Sequence, residues 1–316
     1  MKSKNIKNLL KRVVSVTLAG ALVLSTGIPA KASTSDNMYM TKATNTDSAW
    51  TKTVAPGGTA TFYVGPAKLN AYGYYDYTGF DKDTDAAAEV TWTKEYNTSK
   101  ISSTTAGNAK IAEDNYASTY TVNVAENATA GPIRVHAQRK GKTNIENGCD
   151  FVVVVEGSTN TQATGINVEA YDLFTGNDYT AFGNDYTVES ANANLSALFH
   201  DDANAAQSYA TAANTIDNMV ADGTVTEVTK SYGYVEAISL DDGNGGATGL
   251  LAGGKTEAGY YGWQYGVIRD GKYVASSAVI SASAFDLKDG DTVIWVYGLQ
   301  STATEYFGAY DVYPEN

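Results

Sequence analysis

Residues 156–164 most constrain what this chain can become. Glu156-Gly157-Ser158-Thr159-Asn160-Thr161-Gln162-Ala163-Thr164 is a run of small and polar side chains. Such a run offers nothing to pack and nothing to alternate across a strand. It predicts a linker over 157–164 and two folded bodies, at 45–156 and 165–316. A chain of 316 residues is long enough for two cores of ordinary size. Its single cysteine, Cys149, excludes an internal disulfide framework, a CxxC redox pair and a thiolate zinc site.

The first 32 residues are read apart from the fold. Lys2, Lys4, Lys7, Lys11 and Arg12 make a positive start, Val13 to Ile28 is mostly apolar and uncharged, and Ala30-Lys31-Ala32 offers a small-residue cleavage site. This is the pattern of a secretory signal peptide over 1–32. The apolar run is shorter than the roughly 20 residues of a spanning helix. Residues 33–44 follow as a polar, flexible N-terminus. Losing the six basic residues of the leader takes the net charge from −13 to −19. Such a charge argues against nucleic acid and against membrane insertion after signal cleavage. The expected location is extracellular, secreted or held at the cell surface by non-covalent contacts.

The segment 45–156 reads as strands separated by turns. Thr59–Val64 leaves a Pro56-Gly57-Gly58 turn. Val90–Thr93 alternates, and Tyr120, Val122 and Val124 share one face of a strand over 116–124. Gly131-Pro132 turns into Ile133–Ala137, and Phe151–Val155 reads as a buried strand. Short strands at this spacing predict a β-sandwich. The run PGGTATFYV, YTVNVAENATAGPIRVHA and FVVVV resembles bacterial immunoglobulin-like repeats. That resemblance implies an immunoglobulin-like β-sandwich without a cysteine pair, serving as a spacer or adhesive module.

The segment 165–316 changes period along its length. Ile166–Tyr171 alternates as a strand. Thr187 to His200, around Leu195, Leu198 and Phe199, has a helical spacing. So does Ala203 to Val220, through Tyr209, Ala213, Ile216 and Val220, with Gly223 as its stop. Strands are expected again at 225–229, 234–240, 263–268, 278–280 and 292–297, with a glycine-rich turn over 241–246. Strands, then helices, then strands predict an α+β domain.

Two segments of this half are more specific. In the first, Gly262, Trp263, Tyr265 and Val267 lead into an Arg269-Asp270-Gly271 turn. In the second, Leu287-Lys288-Asp289-Gly290-Asp291 leads into Val293, Trp295 and Tyr297. These segments resemble the transcobalamin-like C-terminal domain family. The resemblance implies a β-grasp-related mixed sheet with one or two helices, and a corrinoid as ligand. The chain departs from cobalamin carriers in having no all-helical companion domain, and Ala203–Gly223 looks like an insertion.

Read from the residues alone, Trp263, Tyr265 and Val267 share a strand face, as do Val293, Trp295 and Tyr297. An aromatic sheet face can stack a flat or sugar-like ligand, or fill a core. Tyr260 and Tyr261 sit between glycines and are the more exposed pair. The candidate ligand contacts are therefore Tyr260, Tyr261, Trp263, Tyr265, Trp295 and Tyr297. No catalytic residue, metal ligand or cofactor is assigned.

Other clusters are weaker. Asp81, Asp83, Asp85 and Glu89 sit at calcium-loop positions, but Ala86 and Trp92 stand where the loop needs Gly and Glu. His200-Asp201-Asp202 has no G-x-S-x-G partner. Cys149, flanked by Gly148 and Asp150, has no basic neighbour to activate it. Gly176–Thr180 recurs as Gly183–Thr187 and suggests two turns. The reading is a non-enzymatic binding protein that takes a small molecule through its C-terminal domain, a corrinoid by resemblance. The alternative is a structural or adhesion module binding glycan or protein, supported by the Tyr-rich loop at 72–77. A hydrolase acting through one of many carboxylate pairs is a third reading. The sequence does not specify an oligomeric state.

Overall fold

The computed structural model describes residues 39–43, 49–71, 75–144, 147–157, 161–174, 181–190, 207–231, 234–241 and 247–315. Residues 1–32, read above as a signal peptide, together with Leu195, Leu198, Phe199, the His200-Asp201-Asp202 cluster, Gly176–Thr180 and most of the glycine-rich turn, lie outside them. The chain is mostly β-strand and divides into two compact units. One runs to Thr159 and takes in Ala278–Ala284; the other holds Asn160–Ser277 and Phe285–Pro314.

The N-terminal unit contains β1 (Tyr39–Lys42), β2 (Thr51–Val54), β3 (Thr59–Leu69), β4 (Tyr75–Tyr77), helix α1 (Asp83–Ala88), β5 (Val90–Tyr96), β6 (Ile101–Ala112), β7 (Asn115–Val124), β8 (Gly131–Arg139) and β9 (Gly148–Val155). One sheet runs β1-β3-β7-β6, with β4 also on β3; the other runs β2-β9-β8-β5. All pairs are antiparallel except β2 with β9. Both sheets feed one core: Phe62 and Val64 of β3 and Val122 of β7 join Ile133, Val135, Phe151 and Val153 from the opposite sheet. β3, β7 and β8 alternate, and their inward apolar residues supply the core, while β9 is apolar on both faces and sends in Phe151, Val153 and Val155. Trp92 stacks on Tyr120 at 4.9 Å and 5° and donates Nε1–H to Ser118 Oγ at 2.9 Å.

Two expectations change here, and one strand was not foreseen. Residues 39–42 are not a flexible end: they pair with β3 and bury Tyr39 and Met40. The acidic run Asp81–Asp85 is not a loop, because its second half is wound into α1, which buries Ala86 in the shared core. The strand β6, twelve residues long, had no apolar alternation to announce it.

The C-terminal unit contains β10 (Gln162–Asp172), β11 (Ala181–Glu189), α2 (Asn214–Ala221), β12 (Val225–Ser231), β13 (Tyr234–Leu240), β14 (Leu251–Ala252), β15 (Gly254–Thr256), β16 (Gly259–Arg269), β17 (Lys272–Val274), β18 (Thr292–Leu299) and α3 (Gln300–Phe307). Its main sheet runs β11-β10-β18-β16-β15, with β17 also on β16; β10 and β18 are parallel, and a small sheet runs β12-β13-β14. The linker is shorter than 157–164, since β10 begins at Gln162 and Thr164 N–H donates to Asp289 Oδ1 at 2.8 Å. Thr187–Glu189 belongs to a strand, not a helix. The second helix is confined to 214–221: it buries Ile216 and Met219 and leaves Val220 47 % exposed, so the apolar stripe is one residue out of the expected phase. Gly223 follows its end at φ +82°, a conformation glycine adopts without strain. The strand expected at 278–280 is absent: Ala278 ends a 3-10 turn over 275–278, and Val279 and Ile280 follow in a turn.

Candidate functional site

The six candidate aromatics come from two adjacent strands. β16 and β18 run antiparallel with Trp263 opposite Tyr297 and Tyr265 opposite Trp295. Directly opposed residues share a sheet face, so these four rings stand together. Tyr261, two residues before Trp263, joins the same face, whereas Tyr260 points to the other. β16 turns into β17 through a tight hairpin, in which Asp270 and Gly271 both take positive φ, at 52° and 75°. Arg269, just before it, holds the buried Asp291 through two bonds of 2.9 Å and so ties the hairpin to the start of β18. The sequence showed Arg269 only as an added charge; its partner was hidden 22 positions away.

The inner part of the face is covered by the chain itself. Trp295 is 2 % exposed and donates Nε1–H to Thr215 Oγ1 of α2 at 3.2 Å. Tyr265 packs at 5.6 Å from Trp295 and edge-on to Phe285. Tyr297 is buried and donates its hydroxyl to Ala252 O at 2.7 Å. Trp263 donates Nε1–H to Leu251 O at 2.9 Å. Thus β14 and α2 lie over the surface expected to receive a flat ligand. Trp295 and Tyr297 are core residues whose polar atoms are fastened to their cover. This corrects the expectation that they contact a ligand.

The outer end of the same face is open. Phe174 follows β10 and is 40 % exposed. Its ring stacks on Tyr261 at 4.4 Å and 12°, and both meet the edge of Tyr297 at 6.0 Å. Asp172 Oδ1 accepts the Phe174 N–H at 2.9 Å and sets the direction in which the chain leaves β10. Two glycines make the approach close. A Cβ on Gly254 would lie 2.6 Å from the Tyr261 hydroxyl, and one on Gly298 3.2 Å from Leu173 Cβ. Sequence reading missed Phe174, which has no periodic partner; only the parallel pairing of β10 with β18 delivers it. Tyr260, 38 % exposed, carries the Lys255 ammonium 4.9 Å above its ring on the opposite face.

That opposite face is closed by α3. Gly266 admits Phe307, whose ring would lie 2.4 Å from an added Cβ. Tyr171 donates to Glu169 Oε2 at 2.7 Å and packs against Tyr306. Burial raises the Tyr306 hydroxyl far above its ordinary range, so it stays protonated.

The N-terminal unit holds a second polar constellation, on the β8–β9 surface. Asp150 Oδ1 takes Arg134 Nε–H at 2.7 Å and lies 3.0 Å from His136 Nδ1. His136 Nε2 lies 3.0 Å from Gln138 Oε1, while Gln138 Nε2 donates to the carbonyls of Lys142 and Asn144. Both imidazole nitrogens therefore face acceptors, which favours the doubly protonated ring. Burial opposes that charge, but the Asp150 carboxylate and the Gln138 contact outweigh it and raise His136 above its ordinary value. Burial likewise opposes ionisation of Asp150, and His136 and Arg134 overcome it and hold the carboxyl low. Next to it, burial and then Asp150 push the Cys149 thiol well up, away from thiolate chemistry. Among the described residues no group of three or more His, Cys, Asp or Glu side chains could hold a metal ion. No helix among them is long and apolar enough to cross a membrane.

No family model and no curated protein matches the chain. Among solved structures it is similar to domains 4 and 5 of the S-layer protein SbsC, at 22 % identity, 38 % of this chain, 46 % of that one and a TM-score of 0.22. It is also similar to SbsC domains 6–7, at 10 % identity over 83 % of this chain and 98 % of that one, TM-score 0.24. A third structure is the cell-surface-expressed multi-modular chitinase ChiW from Paenibacillus sp. str. FPU-7, at 14 % identity over 48 % and 16 %, TM-score 0.24. The chain spans less than half the length of the first of these.

Proposed function

We propose that the chain is a secreted, surface-associated module of the structural or adhesive kind. It holds a glycan or protein partner non-covalently, without turnover, at the ledge formed by Phe174, Tyr261 and Trp263. The observation that carries this reading is the Phe174–Tyr261 stack, a large apolar ring held toward solvent on the end of a sheet. Rings fixed in this way lose little freedom on binding, and they suit a sugar face or a protein side chain. The leader pattern of residues 1–32 supports secretion. The partition β1-β3-β7-β6 against β2-β9-β8-β5 supports an immunoglobulin-like sandwich. The order β11-β10-β18-β16, with its parallel central pair, supports a grasp-type sheet of the transcobalamin-like kind. The corrinoid reading is not taken further, because α2 and β14 already occupy the face that would receive it.

The test is cosedimentation of the secreted chain with purified cell-wall glycan and with wall-stripped surface protein, beside its Phe174→Ala and Tyr261→Ala variants. Capture by either fraction that both variants lose supports the ledge. Capture that neither variant weakens, in proteins with wild-type circular dichroism, overturns it.

A further inference from the structure

The hairpin of β8 and β9 carries a chain of hydrogen bonds whose direction is fixed at one end. Gln138 Nε2–H donates to Lys142 O at 3.0 Å and to Asn144 O at 3.3 Å. A carbonyl oxygen only accepts, so these two bonds orient the amide: its nitrogen faces the turn at 140–144 and its Oε1 faces His136. His136 Nε2 lies 3.0 Å from that oxygen and is therefore the donor. On the other side of the ring Nδ1 lies 3.0 Å from Asp150 Oδ1, which accepts as well. Two turn carbonyls thus dictate, through one amide, a ring protonated on both nitrogens.

The strand pairing keeps these groups in contact. Gln138 lies opposite Gly148 across the hairpin. A Cβ on Gly148 would lie 2.5 Å from Gln138 Oε1 and 2.9 Å from His136 Nε2, so a bare glycine is what lets amide and imidazole meet there. The ring stays within reach of solvent protons, with 18 % of the His136 side chain exposed, whereas Asp150 is sealed at 3 %. The charged groups that act on the ring are Asp150, which favours the imidazolium, and Arg134, which opposes it and is itself bonded to Asp150 at 2.7 Å. On the other flank β5 places the neutral Thr93 opposite His136, and Glu95 accepts the Thr93 hydroxyl. Lys140 and Lys142 are exposed in the turn itself.

We propose that His136 and Gln138 form a pH-operated latch on the turn at 140–144, closed while the imidazole carries both protons and opened when Nε2 gives its proton to water. The order of loss follows from the partners. Nδ1–H points at a carboxylate, a charge-assisted bond, whereas Nε2–H points at a neutral amide, so the Nε2 proton leaves first. The bare Nε2 lone pair then faces the lone pairs of Oε1. Turning the amide over removes that repulsion and gives Nε2 a donor, but it points Oε1 at the carbonyls of Lys142 and Asn144, which lose theirs. Those residues are exposed, so water replaces the lost donor at small cost, and the turn is the partner that is released. The latch is closed on the acid side of the His136 titration and open on the alkaline side. Burial opposes the charged ring, but Asp150 and Gln138 outweigh it, so the change-over falls above the ordinary value of about 6.5. The latch lies wholly in the N-terminal unit and does not depend on the aromatic ledge.

The test is a pH titration of the secreted chain by nuclear magnetic resonance, with Gln138→Glu and His136→Gln beside it. It reads the His136 ring nitrogens, the Gln138 side-chain amide and the carbonyl carbons of Lys142 and Asn144. In the parent chain all three sets should shift with one midpoint, and the carbonyls should lose their hydrogen-bonded shift above it. Gln138→Glu keeps an acceptor for His136 but has no donor, so the ring still titrates while the carbonyls show the released shift at every pH. His136→Gln presents an amide N–H that does not titrate, so the carbonyls stay in the bonded position throughout. Thermal melting checks that each variant is folded, and Gln138→Leu, which also lacks the donor, replaces Gln138→Glu if that variant is not. Carbonyl signals that stay flat while His136 titrates overturn the proposal, as does a ring that is neutral on the acid side. So do carbonyl signals that still follow pH in His136→Gln or in Gln138→Glu, since the titrating group or the donor is then gone.

Discussion

Both units hold a tryptophan by its indole N–H, but the two rings sit differently: Trp92 is partly buried against its core, and Trp295 is fully inside. In the N-terminal unit Trp92 stacks on Tyr120, and its Nε1–H is satisfied by Ser118, two residues before that same Tyr on one strand. The rest of that core is filled by Phe62, Phe80 and Phe151 together with aliphatic side chains of the two sheets. In the C-terminal unit Trp295 takes Thr215, 80 residues away, and Trp263 and Tyr297 take the backbone of β14. The first core is assembled mainly from non-directional burial, whereas the second also requires polar tips to find partners on covering segments. A core of the first kind follows from pattern, and a core of the second kind follows from where distant segments land.

The sharpest break of this contrast is Trp295→Ala. It empties a site that is closed to solvent and frees Thr215, at a cost of about 3–5 kcal/mol. Calorimetry should show the C-terminal transition falling or vanishing while the N-terminal one keeps its midpoint; a common shift of both would mean that the units do not unfold separately. Next in size is Gly266→Ala, whose Cβ would lie 2.4 Å from Phe307. Overpacking of this kind costs about 1–3 kcal/mol. Hydrogen exchange should speed first across α3, with the N-terminal unit unchanged.

The smallest effect tests the polar surface of the N-terminal unit. His136 has a folded pKa raised above its ordinary value of about 6.5. The stability it contributes is complete below that ordinary value and is lost as pH rises through the raised one. Asp150, held low, contributes in the opposite sense: its share is present above its ordinary value and fades as pH falls through the lowered one. Urea midpoints of the N-terminal unit should therefore decline as the pH rises past His136. His136→Gln should remove that decline, and an unchanged slope in the variant would assign it to other groups.

The strands of both units were legible where apolar residues alternate. β7 and β8 in the first unit and β10 and β16 in the second follow from period-2 faces, whereas β9 and β18 follow from apolar runs buried on both faces. β6 was not legible, because Ser, Thr, Ala, Gly and Asn show no apolar face; its strand state comes from pairing with β7. The shared face of Trp263, Tyr265, Trp295 and Tyr297 was legible from parity alone. That two of them are sealed, and that Phe174 joins the open end, was not. Sealing depends on α2 and β14, and Phe174 depends on a parallel pair joining segments about 125 residues apart.

Local chemistry by itself therefore determined the strand-rich class, the Asp270-Gly271 and Asp289-Gly290 turns, the stop at Gly223 and the face each aromatic occupies. Each of these is decided by the backbone preference of one or two residues or by alternation along a single strand. Tertiary structure alone decided which aromatics are core and which are surface, the pairing of Arg269 with Asp291 and the upward shift of the His136 pKa by Asp150. Those properties arise between groups far apart in sequence, where burial and partner geometry, rather than local propensity, set the free energy.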